Sequence, residues 1–130
     1  MKLYEILYVS NLAPGTPVTV VSAIMAQARR YNQDNGVTGL TMFDGARFAQ
    51  LLEGARDLVF DLVEHIRTDA RHINMEILHY APLAERRFLR FGMGYVPAEQ
   101  EDALTLLAAK DGEAALQHFL GLIPVLDLDH

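Results

Sequence analysis

The chain contains no cysteine and no tryptophan among its 130 residues. The lack of cysteine excludes disulfides, thiolate-ligated zinc, iron–sulfur clusters and a thiol nucleophile. No apolar stretch approaches the ~20 residues that span a bilayer, and Glu5 interrupts the apolar run near the N-terminus. We therefore expect a cytoplasmic protein without a membrane anchor or a secretion signal.

Positive charge is also scarce in this sequence. Eleven lysines and arginines stand against seventeen acidic residues, which gives a net charge of −6 at pH 7. An acidic chain of this kind is poorly suited to neutralising phosphate groups, so neither a nucleic acid nor a membrane surface is an expected partner. Apolar residues, by contrast, make up 51% of the chain, enough to bury the core of one domain of ordinary size.

The hydrophobic pattern predicts an α+β fold. Five strands are predicted, over residues 3–9, 37–43, 46–52, 73–78 and 88–96. With a helix after the first strand and another after the third, the order βαββαβ plus one further strand resembles the ferredoxin-like arrangement, a mixed sheet with two helices on one face. The dipeptide Asp44-Gly45 predicts a type I′ hairpin turn, whose two central residues both need positive φ.

Both predicted helices have apolar residues spaced three and four apart. The first follows a cap at Thr16 or Thr19 and ends at Asn35-Gly36. The second begins with a cap at Asp57 and ends near Thr68-Asp69.

Pro97 marks a break in the pattern, after which two short amphipathic helices are predicted on either side of Asp111-Gly112. We expect a domain over residues 1–96 and a helical extension over residues 97–130. These last helices could cover the sheet face opposite the first two, either within one chain or across a dimer.

Familiar catalytic and nucleotide-binding motifs are missing. The sequence has no P-loop, and Gly92-Met93-Gly94 lacks the third glycine of a dinucleotide-binding turn. His65, His72 and His79 are seven residues apart but fall on a predicted helix, loop and strand, so we expect no metal site. Ser10 and Ser22 lack a nucleophile motif.

Three polar residues fall on predicted apolar faces. Gln50 shares a strand face with Phe48, Tyr8 ends an inward-facing run, and Asn32 lies on the flank of the first helix. A buried amide or hydroxyl needs a hydrogen-bond partner, because leaving it unpaired costs about 1–3 kcal/mol. Singly, each residue is explained more simply by an ordinary core hydrogen bond, but together they could line one polar pocket with apolar walls.

Several sequence segments together carry a family resemblance. They are LYEILYVS, Asn32 followed by GVTGL, DGARFAQLLEG, D-x-RH at Asp69–His72, and RRFLRFGMGY, in that order over residues 3–96. The chain resembles the BLUF family of blue-light sensors that use FAD, in its short single-domain form. The resemblance implies noncovalent FAD with its ring between the two helices.

The resemblance also implies which residues contact the cofactor. Ile24 and Ile66 match the apolar walls beside the ring, Asn32 matches the residue that hydrogen-bonds its pyrimidine edge, and Phe48 matches a packing position. Asp69, Arg71 and His72 match residues at the ring or its ribityl chain.

Tyr8 and Gln50 match the photochemical pair of the family. The resemblance implies that blue light draws an electron and a proton from the tyrosine, and that their return leaves the glutamine hydrogen bonds rearranged. A glutamine amide suits this role because it carries a donor and an acceptor on opposite arms. The expected result is a small, reversible red shift of flavin absorption without a reaction product, so we expect no enzyme activity.

One position departs from the common family pattern. Many members have tryptophan two residues before the methionine, whereas this chain has Phe91 before Met93. Phenylalanine has no hydrogen-bond donor, so a signal that depends on tryptophan is not available here. We expect the signal to pass through Met93 and the last strand into the C-terminal helices.

The sequence thus predicts a photoreceptor that signals to a separate, unidentified protein, since the 34 residues after Val96 are too few for an effector domain. We expect a homo-oligomer, with a dimer as the simplest symmetric form. The alternative is a non-photoactive ligand-binding or oligomerisation module on the same fold, and a flavin enzyme ranks third.

Overall fold

In a computed structural model of the chain, which describes residues 2–129, ten helices and strands follow one another. They are β1 (Leu3–Leu12), α1 (Val20–Asp34), β2 (Thr38–Phe43), β3 (Arg47–Ala55), α2 (Arg56–Arg67), β4 (His72–Leu83), β5 (Phe91–Tyr95), α3 (Ala103–Ala108), α4 (Gly112–Leu122) and β6 (Asp127–Asp129). Short 3-10 turns lie at Ala98–Gln100 and Ile123–Val125. None of the helices in this part of the chain has the length and hydrophobicity needed to cross a membrane.

The strands form one six-stranded sheet in the order β4-β1-β3-β2-β5-β6. Its pairs are antiparallel except for β2 and β5, which run parallel. The predicted ferredoxin-like α+β fold with a mixed sheet is therefore confirmed. Strand β6 was not predicted, because three residues are too few to show an alternating pattern.

The sheet buries one apolar cluster on each face. On one face, α1 and α2 pack over strand residues that include Ile6, Phe48 and Leu52. On the other face, the C-terminal helices cover Leu7 and Leu51 among others. Neighbouring residues of a strand point to opposite faces, so the near-continuous apolar runs of β1 and β3 follow from a sheet covered on both sides. The sequence left open whether the C-terminal helices cover this face within one chain or across a dimer. In the structure they cover it within the chain.

The helix boundaries confirm the predicted stop signal but not the predicted start signal of α2. Helix α1 ends at its C-cap Asn35, and Gly36 follows with a φ of 66°. Thr19 occupies the N-cap position of α1 but makes no capping hydrogen bond through its side chain. Asp57 is not a cap, because β3 continues to Ala55 and α2 starts at once, which leaves the carboxylate in the first helical turn near the positive end of the helix dipole.

The hairpin between β2 and β3 exists as predicted, but its turn is different. A type I′ turn at Asp44-Gly45 is wrong, because Gly45 has positive φ and Asp44 does not. Instead, Phe43 pairs with Phe48, and the Asp44 carboxylate accepts hydrogen bonds from the backbone N–H groups of Ala46 (2.9 Å) and Arg47 (2.7 Å). The Asp44 N–H also donates to the Arg47 carbonyl at 3.2 Å, so the chain reverses over Gly45 and Ala46, one residue later than predicted.

The segment between β4 and β5 is held by a buried carboxylate. Strand β4 extends to Leu83, further than predicted, because it pairs with β1 along most of its length. After it, the backbone N–H groups of Arg87 and Phe88 donate to the side chain of Glu53, at 2.8 and 3.2 Å. These bonds fix the entry of the chain into β5.

Candidate functional site

A cleft opens between α1 and α2, above the sheet. Its cavity volume is about 130 Å³, so the cleft is narrow. The side chains that line it are Tyr8, Ile24, Met25, Gln27, Ala28, Tyr31, Asn32, Thr41, Phe48, Gln50, Leu62, His65, Ile66, Asp69, Arg71 and His72. Apolar walls and a few grouped polar atoms give the cleft the character of a binding site for one small organic molecule.

A row of polar side chains crosses the floor of the cleft. Tyr8 pairs with Gln50 across β1 and β3, and Gln50 pairs with Thr41 across β3 and β2. All three residues are buried, with 1%, 4% and 1% of their surface exposed. The Tyr8 hydroxyl donates to Gln50 Oε1, and Gln50 Nε2 donates to Thr41 Oγ1 at 2.6 Å. Gln50 therefore lies between two hydroxyl groups, with one amide arm directed at each.

The environment of Tyr8 keeps its phenol protonated. Burial raises the pKa of the Tyr8 hydroxyl above its ordinary value of about 10, because a phenolate would lose its hydration there. At neutral pH the group is a neutral donor and acceptor. Any loss of its proton must therefore be driven by chemistry in the cleft rather than by solvent pH.

Asn32 lies in the last turn of α1 and has a buried oxygen without a partner. The residue is 1% exposed, and its Oδ1 atom accepts no hydrogen bond from any described residue. Its backbone carbonyl accepts from Val37 N at 2.8 Å, which anchors the helix end beside the sheet. An unpaired buried acceptor is costly unless a ligand pairs with it, so Asn32 marks the place where a donor from the ligand is needed.

Charged groups stand at one end of the cleft, after α2. Arg71 binds the Asp69 carboxylate through two guanidinium nitrogens, with Nη2–Oδ2 at 2.7 Å and Nε–Oδ1 at 3.0 Å. This hydrogen-bonded pairing lowers the pKa of Asp69 to about 2. Asp69 Oδ1 also accepts the backbone N–H of Arg71, so the pair stiffens the turn that leads into β4.

His72 begins β4 and packs between the sheet and the cleft. Its ring lies against Phe48, with 4.7 Å between the ring centroids, and its Nδ1 atom is 3.1 Å from Ser10 Oγ. Burial lowers the pKa of His72, and the nearby Asp69 carboxylate opposes this effect. Neutral imidazole is therefore the form that this environment favours.

The remaining predicted site residues fall into two groups, cofactor contacts and signalling residues. Ile24 is buried on α1 and Ile66 is partly buried on α2, so the two lie on the two helical walls of the cleft. Phe91 and Met93 lie elsewhere, buried on β5 in the same apolar cluster and lining a separate surface groove. Met93 pairs with Thr41 across β5 and β2, so Thr41 stands between Met93 and Gln50.

Sequence reasoning missed Thr41. A two-residue turn at Asp44-Gly45 would have set Gln50 opposite Gly39, whereas the observed turn sets it opposite Thr41. The alternation of side chains along β2 places Thr41 on the same sheet face as Gln50. The predicted register nevertheless put Gly39, and not Thr41, opposite Gln50. The helix residues Met25, Tyr31, Leu62 and His65 were missed because their spacing indicates ordinary helix packing.

Fold and cleft together define a small α+β protein with a candidate binding site between two helices and a sheet. Comparison with known sequences identifies the family. The sequence model of BLUF, described as sensors of blue-light using FAD, matches residues 3–94. The chain belongs to the BLUF family, and the ligand of this family is a flavin.

Individual relatives agree with this assignment. The chain is 38% identical over 93 residues to the blue light- and temperature-regulated antirepressor BluF of Escherichia coli, covering 70% of this chain and 23% of the relative. It is 37% identical over 84 residues to the photoactivated adenylate cyclase subunit beta of Euglena gracilis, covering 65% and 10%. The chain thus spans less than a quarter of either relative.

Solved structures share the fold. The dark-state structure of BlrB, described as a BLUF protein, superposes with a TM-score of 0.68 at 30% identity and covers 81% of this chain and 80% of that one. The photo-activated state of BlsA gives a TM-score of 0.81 over 98% of this chain and 99% of that one, at 24% identity, and so supports the fold alone.

Proposed function

We propose that this chain is a blue-light photoreceptor that binds FAD noncovalently in the cleft and signals to a separate protein. The observation that carries the proposal is the buried Tyr8–Gln50 hydrogen bond on the cleft floor. A phenol and an amide that share a hydrogen bond beside a flavin site are the two groups that a reversible light-driven rearrangement needs.

The residues present fit a flavin. Its pyrimidine edge offers an N–H donor, and the unpaired buried Oδ1 of Asn32 is an acceptor in need of one. Its planar ring needs apolar walls, which Ile24 and Ile66 supply from the two helices. Asp69, Arg71 and His72 would meet the polar parts of the molecule, and Phe48 would support His72 from below.

The Tyr8–Gln50 pair can exist in two hydrogen-bonding states. When bound, the flavin supplies blue-light absorption and an electron acceptor in its excited state. In the dark, Tyr8 holds its proton because burial disfavours the phenolate. Gln50 can then exchange the positions of its oxygen and nitrogen, since both hydroxyls beside it can donate or accept. The changed hydrogen bond near the ring would shift its absorption to the red.

The function so proposed is sensing rather than catalysis. No reaction product leaves the site, and the changed state of Gln50 passes through Phe91 and Met93 on β5 to a partner protein. We further propose that the chain works in the cytoplasm as a homo-oligomer, with a dimer as the simplest form.

The test is spectroscopic. Purified protein should be yellow, release FAD on denaturation as identified by chromatography against FMN and riboflavin, and show a red shift under blue light that reverses in the dark. Protein that takes up no flavin would favour a non-photoactive module on the same fold. Bleaching of the flavin by NAD(P)H in the dark would favour a flavin enzyme. Either result, or a flavin without a light-induced shift, would overturn the proposal.

A further inference from the structure

We propose that Thr41 is a positioning residue of the light-sensing network, a latch that holds the Gln50 amide in each of its two orientations and so sets how fast the signalling state decays. This inference rests on the proposed function. It starts from the hydrogen bond that Gln50 Nε2 donates to Thr41 Oγ1 at 2.6 Å, with Thr41 only 1% exposed.

The sheet register makes this contact a fixed one. Thr41 and Gln50 face each other directly across β2 and β3, on the same sheet face as Tyr8. The hairpin turn that sets this register is short and held by the Asp44 carboxylate, so Thr41 cannot slide along the strand. Threonine is also β-branched, which restricts its side chain to few rotamers.

The two hydroxyls beside Gln50 allow two satisfied arrangements of its amide. In the first, Tyr8 donates to Oε1 and Nε2 donates to Thr41. In the second, with the amide turned over, Nε2 donates to Tyr8 and the Thr41 hydroxyl donates to Oε1. Thr41 is hydrogen-bonded in both arrangements because its hydroxyl can reverse its role. Midway through the turn, the amide plane faces neither hydroxyl, so the bond to Thr41 is broken there.

This difference between the end states and the midpoint defines a kinetic role. A bond that is present in both end states and absent at the midpoint raises the barrier without deciding which state is favoured. A buried hydrogen bond of this kind is worth about 0.5–1.5 kcal/mol net, which corresponds to roughly a two- to tenfold change in rate. Thr41 should therefore slow the return from the lit state by about that factor.

Thr41 also lies beside the strand that is expected to carry the signal. Met93 on β5 pairs with Thr41 in parallel register. It is 1% exposed and belongs to the apolar cluster that also contains Tyr8. Because Thr41 pairs with Met93, a reversal of the Thr41 hydroxyl would change a hydrogen bond directly beside β5. No other hydroxyl stands in the paired row between Gln50 and Met93.

The decisive experiment replaces the hydroxyl while keeping the shape. We expect Thr41→Val to bind flavin and to retain the red shift, but to recover in the dark about two- to tenfold faster than the wild type. Thr41→Ser, which keeps a hydroxyl, should recover at close to the wild-type rate. Thr105→Val serves as the matched control, since it removes an exposed hydroxyl on α3 that does not line the cleft, and its recovery should be unchanged.

Difference infrared spectra of protein with isotope-labelled glutamine provide a second readout. The light-induced amide band of Gln50 should move in Thr41→Val and return in Thr41→Ser, which a packing defect alone would not produce. Equal recovery rates in wild type and Thr41→Val would overturn the latch, and so would a Thr41→Ser rate equal to that of the valine variant. A wild-type chain that shows no reversible shift would instead overturn the proposed function, and the latch with it.

Discussion

At the scale of single residues, we propose that buried polar groups carry the function. Tyr8, Thr41 and Gln50 satisfy one another on the cleft floor, whereas Oδ1 of Asn32 at the cleft wall has no partner among residues 2–129. Unpaired buried acceptors are rare in folded proteins because each one costs free energy. The combination indicates a network that is complete within the protein and a separate position that a ligand completes.

Removal of the Gln50 amide tests the proposed light-driven rearrangement directly. We expect Gln50→Leu to abolish the light-induced red shift while the protein still binds flavin, because leucine has a similar size but neither donor nor acceptor. Tyr8→Phe should also block the photocycle, since it removes the hydroxyl group that carries the proton and makes the ring easy to oxidise. Light-minus-dark absorption spectra measure both effects.

The matched control for these variants is Gln117→Leu, which removes an exposed amide that pairs with Glu113 on α4. It should leave the shift unchanged. A normal red shift in Gln50→Leu would remove this residue from the mechanism.

The protonation of His72 gives a prediction about pH. Burial lowers its pKa in the folded chain below the ordinary value of 6.5, so the unfolded chain takes up this proton first as the pH falls. Stability contributed by neutral His72 is thus present above pH 6.5 and is lost as the pH falls through the folded-state pKa. In urea unfolding with a fixed excess of flavin, His72→Gln should lose less stability than wild type between about pH 7.5 and about pH 5.5.

Imidazole titration by NMR checks the cause independently. The ring signals of His72 should titrate below the ordinary value. A midpoint at or above that value, or equal pH slopes for variant and wild type, would contradict the assignment of a neutral, desolvated imidazole.

At the scale of elements, the register of β2 against β3 positions the cleft floor. Gly39, on β2, has a φ of 152°, and a Cβ atom added there would lie 2.0 Å from the carbonyl oxygen of Leu51 on β3. No side chain can be accommodated at that distance without moving the backbone. The close approach of the two strands is thus possible only with glycine at this position.

Gly39→Ala should therefore destabilise the protein by roughly 2 kcal/mol or more, as a backbone clash in a central strand does. Gly121→Ala is the control, because Gly121 is exposed on α4 and a Cβ atom there meets nothing within 4 Å. The control should be neutral or stabilising by up to about 1 kcal/mol. Urea unfolding of both variants measures the difference, and equal stabilities would show that β2 and β3 can separate locally at little cost.

At the scale of the whole molecule, the sheet is stable because both of its faces are covered. We propose a boundary in which residues 1–96 form the flavin-binding domain and residues 97–130 form an extension. The family match ends at residue 94, which supports this division. The extension shares one apolar cluster with the sheet, in which Leu104, Leu116 and Phe119 are at most 1% exposed.

Phe119→Ala tests how much this cover contributes. Phe119 is fully buried on α4, so we expect a loss of about 3–5 kcal/mol in the free energy of unfolding. Leu106→Ala, on the 56% exposed side chain of α3, should change stability by less than about 0.5 kcal/mol. A loss of less than about 1 kcal/mol in Phe119→Ala would mean that the C-terminal helices are only loosely held on the sheet.

What local sequence pattern determines in this protein is the set of elements and the faces on which side chains lie. The alternation of β1 and β3 placed Tyr8 and Gln50 on one face, and the order of strands and helices identified the fold, because these features depend on neighbours in the chain. The flavin was predicted from the family resemblance, because the hydrophobic periodicity of a sequence carries no information about a cofactor.

Only the tertiary structure decided how the elements meet. It replaced the predicted Asp44-Gly45 turn, and this change of register brought Thr41 opposite Gln50. It also covered the second sheet face with helices of the same chain and buried Glu53 under the segment that enters β5. These outcomes depend on contacts between residues far apart in sequence, where the free energy of packing and of satisfied hydrogen bonds outweighs local preference.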